Sequence, residues 1–229
     1  MNSKDTKIEH SKEYLKEIFK YSLGEDIANA VTHTVGVFFS LYALVSLAWV
    51  AGKYGNPVDT FAFVFYGATI LFMFLMSALY HSMVHYKARV VFKRMDHIAI
   101  FILIIGSYTP YVFSLIKTTS AYILYTVLVI IGIIGIVFKS IYAGKRKKLS
   151  TFIYFMMGWG AFCLLPQIIK TASKPCLYLM LISGITYSIG GIIYARAKFK
   201  YSHMVWHLMV LIGVTPMYIY INFFIIQYR

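Results

Sequence analysis

Seven stretches of roughly 20 apolar residues, separated by short polar turns, constrain this chain more than any other feature of its sequence. They run approximately over Ile27–Ala51, Thr60–Val84, His97–Ile116, Ala121–Ile141, Thr151–Ile169, Cys176–Ala195 and His203–Tyr228. Runs of that length match the hydrocarbon thickness of a bilayer, where a helix satisfies its own backbone hydrogen bonds. The periodicity is not that of strands. The expected fold is therefore all-α: a polytopic membrane protein built as a seven-transmembrane-helix bundle. With 60% of its 229 residues hydrophobic, the chain carries more apolar surface than a soluble domain could hide. The membrane domain is expected over residues 27–229, after a cytoplasmic segment over 1–26. That segment lacks the pattern of a secretory signal. Its alternating Lys12/Lys16 and Glu13/Glu17, beside Tyr14, Leu15, Ile18 and Phe19, read as a short amphipathic surface helix.

Charge fixes the expected orientation. Of the 22 Lys and Arg residues, 17 fall in the N-terminal segment and the second-to-third, fourth-to-fifth and sixth-to-seventh connections; five fall on the opposite side. The positive-inside bias places the N-terminus in the cytoplasm and the C-terminus outside, which requires an odd number of spans. The net charge of +14 thus reads as membrane topology, with no nucleic acid partner, and the run Lys145–Lys148 as an anchor near anionic lipid. The expected location is the cell membrane, and the expected partners are membrane lipids. Cys163 and Cys176 form no CxxC pair and read as packing residues. The paired glycines Gly132/Gly135, Gly158/Gly160 and Gly190/Gly191 read as sites of close helix approach. The stretch Ser107-Tyr108-Thr109-Pro110 reads as a kinked, polar-lined turn inside the third span.

The polar residues inside the spans carry the chemistry. Of eight acidic residues, six lie in the N-terminal segment and Asp59 in an outer loop. The remaining one, Asp96, stands at the start of the third apolar run, and a membrane-embedded ionisable group marks a functional site by default. With the topology above, the cytoplasmic ends of four helices bring together His81, Asp96, His203 and His207, with Glu25, Asp26, Asn29 and His33 at the start of the first. His203 and His207, four residues apart, share one helix face. His81, His203 and His207 supply the three nitrogens that zinc takes at catalytic sites. Asp96 could hold a water or accept its proton, and Ser77, one turn before His81, could hydrogen-bond a substrate oxygen. Blander readings stand beside these: Asp96 paired with Lys93 or Arg94 at the membrane surface, His81 bonded to backbone, and Ser77 serving as a small packing residue. His85 and His97 read as loop and interface residues, and His33 as shaping the cavity mouth.

At these residues the chain resembles the hemolysin III family, grouped with the progestin and adiponectin receptors (PAQR) and the alkaline ceramidases. Four stretches carry the resemblance: Gly24-Glu25-Asp26-Ile27-Ala28-Asn29-Ala30-Val31-Thr32-His33; Ser77-Ala78-Leu79-Tyr80-His81-Ser82; Met95-Asp96-His97-Ile98-Ala99-Ile100, running on to Gly106-Ser107-Tyr108-Thr109-Pro110; and His203-Met204-Val205-Trp206-His207-Leu208. The resemblance implies seven helices with the N-terminus inside, Zn2+ held by His81, His203 and His207, and Asp96 and Ser77 beside the metal. After the last motif the family often continues with a Ser and a further His. This chain has Val214-Thr215-Pro216-Met217 there, which leaves the metal ligands intact and removes a polar contact deeper in the pocket.

The function expected first is a zinc-dependent hydrolase acting on a lipid amide or ester near the cytoplasmic leaflet, with Asp96 and Ser77 as its catalytic residues. Two other classes stand beside it. One is a membrane-damaging, pore-forming hemolysin, although no helix carries a long polar stripe to line a pore. The other is a zinc-containing receptor or sensor without turnover.

Overall fold

The computed structural model describes residues 17–142 and 146–226. Among these residues there is no strand, and seven helical spans are long and apolar enough to cross a membrane. The expected surface helix falls largely on residues 1–16, outside the described part, as does Lys145 of the Lys145–Lys148 run.

Helix α1 spans Leu23–Tyr54. It starts before the apolar run because Ser22 and Glu25 form a reciprocal cap: the Ser22 hydroxyl accepts the Glu25 N–H, and the Glu25 carboxylate accepts from the Ser22 N–H. Glu25 and Asp26 therefore sit in the first turn of a membrane helix, where the helix dipole favours negative charge. The two faces of α1 are sorted for lipid. Val31, Val35, Phe38, Tyr42, Val45 and Trp49 point outward, while Asn29, His33, Gly36, Ser40 and Ala43 are buried. Small and polar residues on the inner face let helices approach closely and find hydrogen-bond partners.

Helix α2 spans Pro57–Ser82 and is capped by Asn56, which accepts from the N–H groups of Val58 and Asp59. Helix α3 spans Tyr86–Thr109 and continues as a π-helix over Pro110–Ile116. It begins well before His97, so Asp96 lies within the helix and not at its start. The four basic residues Lys87, Arg89, Lys93 and Arg94 are helical, not a loop. Two of them can enter the protein body because they find oxygens there: Arg89 donates to the carbonyls of Ile18 and Met83, and Lys93 to that of Glu17. The Ser107–Pro110 stretch is the helix-to-π transition. Thr109 donates to the carbonyls of Ala62 and Gly106, and Tyr108 to those of Met157 and Gly158.

Helix α4 spans Thr119–Ile141. The fifth span is broken: α5 over Lys147–Trp159, a 3-10 turn over Gly160–Leu164, then α6 over Leu165–Thr171. Helix α7 spans Lys174–Arg196, and α8 spans Ser202–Tyr220 before a second π segment over Ile221–Ile225. Burial is uneven. Within the most apolar window of each span, 33%, 56% and 67% of residues are buried in the first three and 44% in the seventh, against 22%, 17% and 22% in the fourth to sixth. Thus α1, α2, α3 and α8 form the packed body, α7 packs closely along α8, where Gly190 meets Met209 and Trp206, and the fourth and fifth spans lean on that body. Close approach needs glycine at Gly36, against the Phe74 ring, and at Gly135, against Phe101. Gly158 instead faces open space, so it is not a packing glycine.

Candidate metal centre

Three helix ends meet at one face of the bundle. The C-terminal end of α2 carries His81, the start of α8 carries His203 and His207, and the start of α1 carries Asp26, Asn29 and His33. One ligand nitrogen from each of His81, His203 and His207 lies within 4.8 Å of the other two. The three residues expected from sequence to hold a metal are brought together.

Their outer hydrogen bonds fix which nitrogen is available. His81 Nδ1 lies 2.9 Å from Asp26 Oδ1. With the carboxylate accepting, Nδ1 carries the proton and Nε2 is left with its lone pair; that Nε2 is buried and has no partner among the described residues. His207 Nδ1 lies 3.2 Å from the Asn29 carbonyl oxygen, which again puts the proton on Nδ1 and bares Nε2. His207 Nε2 faces His203 Nε2 at 3.2 Å. Two such lone pairs repel unless a proton or a cation lies between them. In a tetrahedral zinc site with Zn–N of about 2.0–2.1 Å, ligand nitrogens stand about 3.4 Å apart. The donor set therefore fits a metal ion of that size, and carboxylate- and carbonyl-bonded imidazoles are the usual outer shell of such ligands.

Asp26 is the residue whose role the sequence reading missed. Its Oδ1 holds His81, and its Oδ2 accepts from Arg89 at 2.6 Å. Assigning residues 1–26 to a surface segment hid that role. The Ser22-x-x-Glu25 spacing was the available signal, because a helix beginning at Leu23 sets Asp26, Asn29 and His33 on one stripe. Tyr21 was missed too. Its ring stacks on His203 at 4.8 Å and 13° and lies 5.4 Å from His81, so the segment before α1 covers the histidines. Burial keeps the Tyr21 phenol protonated well above its ordinary range, with nearby phenols and the charges of Asp96 and Asp26 adding to the effect.

Asp96 is near the centre but not part of the histidine group. It pairs with neither Lys93 nor Arg94 among the described residues; Lys93 meets Glu17, and Asp96 Oδ2 lies 3.5 Å from His97 Nδ1. Asp96 and His97 line a largely apolar cavity of about 440 Å³, as do His33, His203 and His207. His97 is therefore a cavity-wall residue and not an interfacial one, while His85 is exposed at the cap of α3. His33 is 2% exposed, stacks on His207 at 3.6 Å, and has neither ring nitrogen partnered among the described residues. Ser77 is fully buried one turn from His81, with its hydroxyl unpartnered among the described residues. Elsewhere on the cavity wall Met217 accepts from the Tyr111 hydroxyl.

A family model described as Haemolysin-III related matches residues 21–218. The Hemolysin-3 homolog of Bacillus subtilis (strain 168) is 35% identical over 207 residues, covering 90% of this chain and 97% of that protein. Hemolysin-3 of Bacillus cereus is 34% identical over 202 residues, covering 88% of this chain and 92% of that protein.

Proposed function

The chain belongs to the haemolysin-III-related family, and on that premise we propose that this multi-pass integral membrane protein is a zinc-dependent hydrolase of a lipid amide or ester, working near the cytoplasmic leaflet. The observation that carries the reading is the convergence of three imidazoles, two with their tautomers fixed from behind, beside a cavity that is mostly apolar. The distribution of Lys and Arg, 17 against five, supports the cytoplasmic side.

His81, His203 and His207 would hold the ion. When bound, zinc would polarise a substrate carbonyl and make water more acidic. The protein's own groups do the rest. Asp26 and the Asn29 carbonyl orient two of the ligands. The apolar cavity accepts an acyl chain and keeps bulk water from it. A carboxylate oxygen of Asp96, on the cavity wall, takes a proton from the attacking water and returns it to the leaving group. The Ser77 hydroxyl donates to the substrate oxygen as charge grows there.

The test is lipid amide and ester hydrolysis by detergent-purified protein, wild type against His207→Ala, with folding checked by thermal melting. Loss of turnover in the folded variant is the expected result, and full activity in a metal-stripped wild-type preparation overturns the reading. The relatives' name carries a second reading, a membrane-damaging activity. Dye leakage from liposomes that is indifferent to metal removal would favour it.

A further inference from the structure

A polar recess of about 250 Å³ lies against the same histidine group and shares two walls with the apolar cavity, His203 and Tyr194. Lys20 and Lys198 line it, together with Tyr21, Glu25 and Ser202. The Glu25 carboxylate is already occupied. One oxygen accepts from the Ser22 N–H and hydroxyl, the other from the Tyr201 N–H at 3.2 Å. Neither lysine forms an ion pair among the described residues; Lys20 only approaches the face of the Tyr21 ring. Helix α8 starts at this recess without a side-chain cap, so its positive end adds to the two ammonium groups.

We infer that the recess is a headgroup subsite and that the lipid handled by this site bears a phosphate-type anion. The acyl chain lies in the apolar cavity, the headgroup between Lys20 and Lys198, and the scissile linkage at the histidines, where the two spaces meet. This inference rests on the lipid-hydrolase reading and adds the substrate class. A hydroxyl or amide headgroup would bring no charge to a recess lined by two ammonium groups and one carboxylate, whereas a phosphate brings the anion that the second lysine lacks. Each lysine beside an anionic headgroup is worth roughly fivefold in affinity, so the pair gives a preference of roughly 25-fold.

The experiment is native mass spectrometry in a neutral detergent with three probes: oleoyl lysophosphatidic acid, monoolein (same chain and ester, no phosphate) and glycerol 3-phosphate (no chain). Wild type is expected to bind the lysophosphatidic acid about 25-fold more tightly than monoolein, and glycerol 3-phosphate far more weakly than either. Lys20→Ala/Lys198→Ala is expected to remove the preference and leave monoolein binding unchanged. The control Lys87→Ala/Lys148→Ala removes the same charge from exposed positions outside the recess and is expected to keep the preference. Equal binding of the two lipids by wild type overturns the inference, as does an equal effect of the control pair. Binding of glycerol 3-phosphate as tight as that of the lipid also overturns it, leaving a plain phosphate site. Turnover of the same probes separates the two levels. Preferential binding without hydrolysis sinks the hydrolase and leaves the subsite standing; hydrolysis of both lipids without preference does the reverse.

Discussion

Asp26→Asn tests the logic of the centre without touching a ligand. The carboxylate makes two contacts, 2.9 Å to His81 Nδ1 and 2.6 Å to Arg89, and both partners are almost wholly buried. The asparagine keeps an oxygen that can accept from His81 but loses the charge that raises imidazole basicity, and its amide donor faces a guanidinium that also donates. Removing such an outer partner lowers metal affinity by about 10–100-fold, or roughly 1.4–2.7 kcal/mol. Because the Asn variant retains one hydrogen bond, it belongs near the tenfold end; Asp26→Ala belongs near the hundredfold end. The alanine also leaves Arg89 with only the Ile18 and Met83 carbonyls, so its melting temperature should fall as well. The assay is competition for zinc with a chromophoric chelator on detergent-purified protein, with Glu25→Gln as control. Glu25 touches Ser22 and Tyr201 but no histidine. If Asp26→Ala binds zinc as wild type does, or Glu25→Gln weakens binding equally, Asp26 does not act on the metal through His81.

Three further outcomes are expected. His203→Ala should abolish stoichiometric zinc in purified protein, while His85→Ala, on the exposed cap of α3, should leave the zinc content unchanged by elemental analysis. Tyr21→Ala uncovers the His203 ring, so zinc loss to a chelator should accelerate several-fold, by roughly the loss of one ring contact of about 1 kcal/mol, with equilibrium folding little changed by thermal melt. Gly36→Ala drives a methyl into the buried Phe74 ring and should destabilise by about 1–3 kcal/mol, whereas Gly158→Ala meets nothing within 4 Å and should be neutral or stabilising; thermal melts of the two variants in one detergent give the comparison.

The chain's legibility differed by level. Long apolar runs announce membrane helices directly, because the bilayer sets their length, and the seven spans needed no tertiary information. The convergence of His81, His203 and His207 was legible because a four-residue spacing on a helix and a shared end of the bundle both follow from local geometry. The role of Asp26 was hidden by its neighbours: five other acidic residues precede it, and a place in the polar layer at the helix ends does not say which partner it takes. Arg89 was hidden for the complementary reason. A basic residue between two apolar runs reads as a topology marker, and only the tertiary structure reveals that it reaches the carbonyls of Ile18 and Met83 and the carboxylate of Asp26. The same contacts explain the early start of α3. Hydropathy alone ends a membrane helix at its first cluster of charges, whereas buried oxygens let this one continue past four of them.

That distribution of burial also divides labour within the bundle. All three histidines of the group, and the Asp26 and Asn29 groups behind them, stand on α1, α2 and α8, which belong to the packed body. Much of the opposite cavity wall comes from the fifth and sixth spans, where only 17% and 22% of the most apolar window is buried and the fifth is interrupted by a 3-10 turn. Few buried contacts mean a low local cost of opening, and close packing means a high one. A substrate arriving sideways from the lipid would therefore displace α5 and α6 at far smaller cost than it would disturb α1 against α2, where Gly36 meets Phe74, or α7 against α8, where Gly190 meets Met209 and Trp206. The wall can yield while the ligand nitrogens keep their spacing, which is what a site needs if it must admit a bulky lipid and still present a fixed set of donors.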